Sequence, residues 1–519
     1  MRTSGNGSIL LTWLGGALGL WLTAASLLGQ AVQGPSSQGP RAGAAAGAPV
    51  QEEAQPSARA IPADGAIPPD YDPAFLNALG LVPVQESGRI TPLSSVARYG
   101  MLFLARGNTY RGKEQPPGGE LRTKAVSAME WFAAMLLSPR DVLQAPMFRV
   151  DDTKVLERYA LRPDGINRRD MLAWTELFPI GEKVSRDSEF LARAMDERDY
   201  EPSAQDRGIL RLNRQLGSYS VLQEGFRFAR ERFAVPRGDS DAHKAVRQLL
   251  GGKDQGITSA MLLAVLPDLG QLARSEAQAG LRGTAAPAQT LVSSLSQLAQ
   301  SSRYHALFPY ESGPLEEDAK ASQTASFSEW QSFFSLHEAA RFGVLQDKKL
   351  TLEAAQHLCL ALGPDRSDAE RTESLEAYRG AIAAIVAKRQ TGELRAVAAE
   401  QAYHKANLMG WSWGLSWVGV VAACVSLLMG KRRLPYRITW GIAFTVSTML
   451  VAVMAWRSYI VARPPVGTLY ETIPFITWCM LVCCMVVEGL NFRRIALAGG
   501  LVLAALGSHL AVNFESHEA

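Results

Sequence analysis

Five stretches of the chain are apolar and free of Asp, Glu, Lys and Arg. They run roughly from Ile9 to Gly29, Ala406 to Gly430, Ile438 to Trp456, between Glu471 and Glu488, and Ile495 to Phe514. A helix of ~20 residues crosses the ~30 Å apolar core of a bilayer, so each stretch predicts a membrane-spanning helix. The fourth is the shortest, with 16 residues between its bounding glutamates.

The region between the first and second apolar stretches has the pattern of a separate, mainly helical domain. Residues 31–70 are rich in Ala, Gly, Pro, Ser and Gln, which predicts a disordered linker. Residues 71–405 carry apolar positions at helical spacing between charged faces. Residues 1–30 predict either an N-terminal transmembrane anchor or a cleaved signal peptide, since GQA at 29–31 resembles a cleavage site.

Local signals place a few elements within residues 71–405. The stretch LGLVPVQESGRITPLSSVARYG predicts a short strand, an ESG turn, a break at Pro92 and then a helix. The segment AVSAMEWFAAMLLSP predicts a helix that stops at Pro139. Strand patterns are scarce elsewhere. We therefore predict an all-α fold, with one large helical domain and a four-helix membrane domain at 406–519.

Basic residues in the short loops predict how the spans are oriented. Two loops carry clusters of cations, which are Lys431, Arg432, Arg433 and Arg437 in one and Arg493 and Arg494 in the other. Cationic loops stay in the cytoplasm. The large helical domain and the loop RPPVGTLYET at 463–472 then lie on the extracytoplasmic side.

Composition excludes several classes of function. The chain of 519 residues has 53 basic and 50 acidic residues, so its charge does not indicate nucleic-acid binding. Its five cysteines form no Cys-x-x-Cys, which argues against thiol–disulfide exchange and zinc fingers. No hydrolase or nucleotide-binding motif is present. We therefore predict no catalytic residue and no metal site.

Two histidines near the predicted spans are candidates for cofactor binding. His404 precedes the second span and His509 lies in the fifth. Ionisable residues in spans are uncommon and often functional, although packing against a neighbouring helix is the alternative. The tryptophans of GWSWGLSW at 410–417 predict an interfacial aromatic belt or a flat surface for a porphyrin. The remaining candidates, for which we expect surface or packing roles, are His243, His305, His337 and His357.

Two motifs resemble the CcsA/ResC family of cytochrome c biogenesis proteins, in its extended or fused form. RPPVGTLYET is similar to the family's R-x-P-x-(S/T)-N-x-Y-E signature through Arg463, Pro465, Tyr470 and Glu471, but Gly467 and Thr468 depart from it. PVQESGRITPLSSVAR resembles the opening of the extended members, most clearly at Arg89, Pro92 and Arg98. AEQAYHKANLMGWSWGLSW resembles the run into the first membrane helix of the family.

The resemblance implies a role in system II cytochrome c maturation, in a bacterial inner membrane with the soluble domain in the periplasm. Family members deliver haem and join it to apocytochrome c. Here Arg463 could pair with a haem propionate or with a carboxylate of a partner, with interfacial anchoring as the alternative, and His404 and His509 are the candidate haem ligands. The WWD segment is not found, so we expect an N-terminal portion that works with CcsA/ResB-type subunits and is inactive alone as a haem lyase.

Two other functions remain open at this stage. The chain could be a membrane-anchored scaffold, without catalysis, whose helical domain docks an extracytoplasmic partner. It could also be a small-molecule transporter, but the predicted spans lack the charged pairs and broken helices typical of transporters. Membrane lipid is an expected neighbour in every case.

Overall fold

The computed structural model describes residues 67–518, except 87–88, 115–121, 162–169, 198–199, 253–255, 310–329, 343–348, 365, 390–393, 430–432, 465–468 and 492. The chain divides into two compact units. The N-terminal unit ends at Ala406, and the C-terminal unit runs from Asn407 to Val512. The predicted anchor or signal peptide at 1–30 and most of the predicted linker at 31–70 lie outside the described residues.

The N-terminal unit consists mainly of helices, as the periodicity predicts. Helices α1–α16 are Pro73–Gly80, Leu93–Ala105, Ala128–Leu137, Thr153–Arg158, Trp174–Leu177, Gly181–Glu197, Ala204–Glu224, Arg227–Arg230, Asp241–Leu249, Ser259–Ala264, Leu266–Gln278, Pro287–Ser301, Phe333–Arg341, Lys349–Leu362, Asp368–Arg389 and Arg395–Ala406. Short 3-10 turns lie at Pro139–Val142, Phe178–Ile180 and Gly283–Ala285.

Among its described residues the same unit also holds ten short strands, of which the sequence predicts only the first. They are β1–β10, at Pro83–Glu86, Arg89–Pro92, Thr109–Glu114, Arg122–Ser127, Pro146–Val150, Asp170–Ala173, Arg232–Phe233, Ile257–Thr258, Ala306–Pro309 and Trp330–Ser332. Four form an antiparallel sheet in the order β10-β9-β1-β2, and the others pair in twos. Strands of two to six residues are too short to show the alternation on which prediction depends.

The predicted helix starts and stops are confirmed. Pro92 ends β2 and is the N-cap of α2, with extended backbone angles of −71° and 147°. Helix α3 begins with a capping box between Ser127 and Glu130. It ends at Leu137, and Ser138 separates it from Pro139. These helices place the fully buried Trp131 and Phe132 in the core, where Phe132 meets Phe226 edge-on at 6.0 Å between ring centroids.

The C-terminal unit contains four helices that are long and apolar enough to cross a membrane. They are α17 Leu408–Leu428, α18 Arg433–Val461, α19 Leu469–Asn491 and α20 Ile495–Glu518. Asn407, in the left-handed conformation with φ 43°, separates α17 from α16. Helix α19 is longer than the short predicted span, with 23 residues. Both glutamates that bound the predicted span lie inside the helix.

Small residues pack these four helices together, but not at Gly410 and Gly414, which have the GxxxG spacing typical of close helix packing. A methyl group on Gly414 would meet nothing within 4 Å, and one on Gly410 would meet the Asn407 side chain. Close approaches occur instead at Gly419, against Ile442 and Leu501, and at Gly507, against Thr477. Spacing alone does not show which face of a helix meets a neighbour.

A glycine in the N-terminal unit makes room for a histidine. Gly225 caps the end of α7, and a methyl group there would overlap the His305 ring. We expect Gly225→Ala to lower the free energy of unfolding by about 1–3 kcal/mol, because overpacking forces neighbours to shift. Urea unfolding of the detergent-solubilised chain, followed by tryptophan fluorescence, measures this.

Gly217→Ala is the matched control for that substitution. Gly217 lies on the same helix, and a methyl group there meets nothing within 4 Å. Alanine should raise stability there by up to about 1 kcal/mol through helix propensity alone. Equal effects of the two substitutions would contradict the packing argument.

The same histidine predicts a pH dependence of stability. Burial lowers the pKa of His305 to about 4, and the Val221 backbone carbonyl offsets this in part. The unfolded chain therefore binds a proton that the folded chain excludes, and stability falls as the pH drops from about 6.5 towards 4. Between pH 7.5 and 4.5 His305→Gln should remove about 2 kcal/mol of the loss seen in the wild type. Urea unfolding at each pH measures the free energy of unfolding. An equal loss of stability between pH 7.5 and 4.5 in the two proteins would refute the role of His305.

Candidate functional site

A buried carboxylate joins three elements at one place in the N-terminal unit. Glu400 on α16 is 1% exposed and accepts a hydrogen bond from Ser95 Oγ on α2 at 2.9 Å. Arg89 on β2 donates to the same oxygen from Nη2 at 3.3 Å, and its Nη1 lies 3.2 Å from the other oxygen. We call Arg89, Ser95, Glu400 and His404 the Glu400 cluster.

The motif residue Pro92 sets the positions of two members of this cluster. Arg89 is the first residue of β2, Pro92 is the last, and the helix that carries Ser95 begins immediately afterwards. Because proline cannot continue the strand ladder and favours a helix start, the chain turns here. Arg89 and Ser95 thereby approach Glu400 from a strand and from a first helical turn. The third motif residue, Arg98, lies half-buried on α2.

Further contacts hold α16 in register with α1. Gln401 Nε2 donates to the Asn77 carbonyl at 3.3 Å, and Lys405 Nζ contacts the side-chain oxygen of Asn77. Gly80 permits this approach, since a methyl group there would lie 2.7 Å from Gln401 Nε2. The position of Glu400 is therefore fixed by its neighbours along α16 as well as by its own partners.

His404 lies one turn beyond Glu400 and is packed rather than open. Its side chain is 9% exposed, and its Nε2 lies 3.8 Å from a Glu400 oxygen. The ring packs edge-on against Tyr99 and Tyr403, at 6.0 and 5.4 Å between centroids. An iron bound to Nε2 would have to displace the carboxylate, so this imidazole does not fit a haem ligand through that nitrogen in this conformation.

A second buried carboxylate lies in the C-terminal unit, within the other motif. Glu471, in the first turn of α19, has a side chain that is 4% exposed. Arg463 Nη2 lies 3.4 Å from its Oε1, and Arg457 Nε on α18 lies 3.7 Å from the same atom. The first and last residues of the R-x-P-x-x-x-x-Y-E match thus pair with each other. Pro465 and the side chain of Tyr470 lie outside the described residues.

His509 differs from His404 in its surroundings. It is exposed on α20, with its ring 5.6 Å from that of Trp413 on α17 at an angle of 31°. Beside it, Ser412 Oγ and Ser508 Oγ lie 3.3 Å apart, which ties the same two helices together. An exposed imidazole next to an indole ring fits a haem ligand better than His404 does. The two histidines belong to different units, so neither unit alone contains both.

A third buried carboxylate explains why α19 continues through Glu488. This side chain is completely buried and accepts hydrogen bonds from Tyr436 Oη at 3.1 Å and from the backbone N–H of Arg494 at 2.5 Å and Leu497 at 3.4 Å. It therefore caps the start of α20, where backbone N–H groups lack helical partners. Arg494, with φ 69°, donates to the Ser426 carbonyl of α17 at 2.6 Å.

Sequence reasoning missed Ser95, Glu400, Arg457 and Glu488 as members of these clusters. One signal was present, because Glu400 and His404 are four residues apart and share a helix face. Arg89 and Ser95 are distant from Glu400 in the sequence, by 311 and 305 positions. Pairing at that distance leaves no local pattern.

The described part of the chain contains no group of three or more His, Cys, Asp and Glu side chains placed to hold a metal ion. No protein-family model matches the sequence, and no curated protein matches it as a relative. The geometry of the clusters is therefore the main guide to function.

The Glu400 cluster predicts an energetic coupling between its charged members. Arg89→Met leaves a buried carboxylate without its cation and should lower stability by about 2–4 kcal/mol. Glu400→Gln should cost less, because the remaining Arg89 side chain is 31% exposed and can be solvated. The double variant should be more stable than Arg89→Met alone, which a double-mutant cycle from urea unfolding would measure.

An exposed ion pair provides the comparison for that cycle. Arg186 and Glu182 lie one turn apart on α6, with side chains 72% and 84% exposed. Surface pairs contribute about 0–1 kcal/mol, so Arg186→Met and Glu182→Gln should have small and additive effects. Additive effects at Arg89 and Glu400 as well would show that their ion pair does not stabilise the fold.

Proposed function

We propose that this chain is a membrane component of cytochrome c maturation, of the CcsA/ResC type, that contributes to haem export, delivery and attachment to apocytochrome c. One observation carries the proposal. Arg89 belongs to the segment that resembles the opening of the extended family members, and Glu400 to the segment that resembles their run into the membrane. The two residues are 311 positions apart in the sequence, and they form an ion pair at 3.2 Å. If the two segments resembled the family only by chance, there would be no reason to expect them to contact each other.

The four apolar helices agree with this role, since haem handling of this type takes place in a membrane. In the proposal they lie in a bacterial inner membrane, with the N-terminal unit on the extracytoplasmic side. A partner supplies the tryptophan-rich WWD part and the haem-clamping histidines. His509 is the residue of this chain that best fits a haem ligand, and His404 supports α16 instead. Covalent attachment of haem then depends on the partner.

Deletion and complementation in the source organism test the proposal. Loss of the gene should abolish covalent haem staining of c-type cytochromes, and the wild-type chain should restore it. Arg89→Met should restore less than the wild type, and Glu182→Gln, at an exposed position, should restore it fully. Protein levels in membranes must be equal for the comparison to hold. Normal cytochrome staining in the deletion strain would refute the function.

Purification separates the role of this chain from that of its partner. The chain isolated from native membranes in mild detergent should carry haem absorbance together with a WWD-type subunit, and should lose that absorbance when the subunit is removed. Haem retained by the isolated chain, and lost in His509→Ala, would contradict the division of labour proposed above.

A scaffold without catalysis is the second candidate, and one surface feature favours it. Helices α4, α6 and α7 border a cleft of about 300 Å³, lined by Arg158, Asp187, Phe190, Tyr200 and others. Phe190 is 69% exposed at the edge of this cleft, so its ring is accessible to a docking partner. A scaffold predicts normal cytochrome staining in the deletion strain, together with loss of partner capture in Phe190→Ser.

A further inference from the structure

The connection between α18 and α19 carries an excess positive charge. From Leu450 to Val487 the charged residues are Arg457, Arg463 and Glu471, which sum to +1. Both guanidinium groups approach the same carboxylate oxygen of Glu471, at 3.4 and 3.7 Å. One buried carboxylate neutralises one cation, so the second charge requires an anion from outside this segment or from solvent.

The excess charge is presented by Arg463. Its side chain is 45% exposed, compared with 19% for Arg457 and 4% for Glu471. Its contact with Glu471 is made by one nitrogen, Nη2. A guanidinium group has five N–H donors in a planar fork that matches two oxygens of a phosphate or carboxylate. Glu471 therefore holds Arg463 in place without occupying its whole donor set.

The location indicates which anion this group meets. Arg463 follows the end of the 29-residue apolar helix α18 by two residues, and Tyr459, near the same end, is 55% exposed. Arginine and tyrosine at the end of a membrane-spanning helix lie at the level of the lipid headgroups. Lipid phosphates lie at that level, and a basic side chain near an anionic lipid surface contributes about 1 kcal/mol to binding.

We propose that Arg463, positioned by Glu471 and Arg457, binds the phosphate of an anionic phospholipid headgroup. This site goes beyond the proposed function, since it requires only that α18 and α19 cross a membrane. Glu471 and Arg457 are positioning residues here, and Arg463 makes the contact.

Native mass spectrometry of the full chain in detergent, titrated with phosphatidylglycerol, tests the proposal. The wild type should bind phosphatidylglycerol more tightly than phosphatidylcholine. Arg463→Gln should weaken phosphatidylglycerol binding about tenfold, which corresponds to 1.4 kcal/mol. Arg463→Lys should weaken it by about threefold, because the charge remains but the bidentate fork is lost.

Arg437→Gln is the matched control, since Arg437 is an exposed arginine near the opposite end of the same helix. Arg437→Gln should weaken phosphatidylglycerol binding less than Arg463→Gln does, because it removes only the general attraction between charges. Equal losses for Arg437→Gln and Arg463→Gln would show general attraction between charges and overturn the site. A lack of preference for phosphatidylglycerol would do the same.

Two further arms distinguish other sources of the anion. Inorganic phosphate should not compete with phosphatidylglycerol at equal concentration, and full competition would assign the site to free phosphate. Ferric haem should not displace the lipid from the wild type. Displacement that disappears in Arg463→Gln would assign Arg463 to a haem propionate and overturn the lipid site. None of these measurements depends on cytochrome maturation, so a failure here is distinct from a failure of the proposed function.

Discussion

The cost of removing a carboxylate from water shapes both units of this protein. An unpaired buried charge costs several kcal/mol, so a buried glutamate must be matched by cations or by several hydrogen-bond donors. Four glutamates among the described residues are at most 5% exposed, namely Glu276, Glu400, Glu471 and Glu488. The donors to each glutamate come from elements other than the helix that carries it. Each glutamate therefore fixes how two or more elements pack together.

These four glutamates are satisfied in two different ways. Glu276 accepts from the backbone N–H groups of Ala288 and Gln289 at 3.1 and 3.0 Å, and so caps the start of α12. Glu488 caps α20 in the same manner. These are structural roles, because the backbone donors are groups that the helix start must satisfy in any case, and Glu488 has Tyr436 Oη as one further donor. Glu400 and Glu471, by contrast, are paired with arginine side chains.

The arginine-paired glutamates coincide with the segments that carry the family resemblance. A pair of side chains is a more costly way to satisfy a buried carboxylate than a helix start, because each arginine loses conformational freedom and hydration. These pairs set α16 against β2 in one unit, and Arg463 and the end of α18 against the start of α19 in the other.

The sequence predicted what depends on neighbours along the chain and missed what depends on distant ones. The apolar stretches at 406–430 and 438–456, the break at Pro92 and the end of α3 were all visible, because periodicity and proline act locally. The apolar run predicts an end at Trp456, before the charge of Arg457. That charge is paired with Glu471, and α18 continues to Val461.

The two candidate ligands His404 and His509 show the same division at the level of function. Their positions, one just before a predicted span and one within another, make both of them candidates from sequence alone. What separates them is contact, because Glu400, Tyr99 and Tyr403 surround the first, whereas the second lies exposed beside Trp413. A histidine whose nitrogen faces a buried carboxylate is well placed to support that carboxylate and poorly placed to bind iron. The chemistry available to this chain therefore depends more on what its glutamates bind than on the number of its histidines.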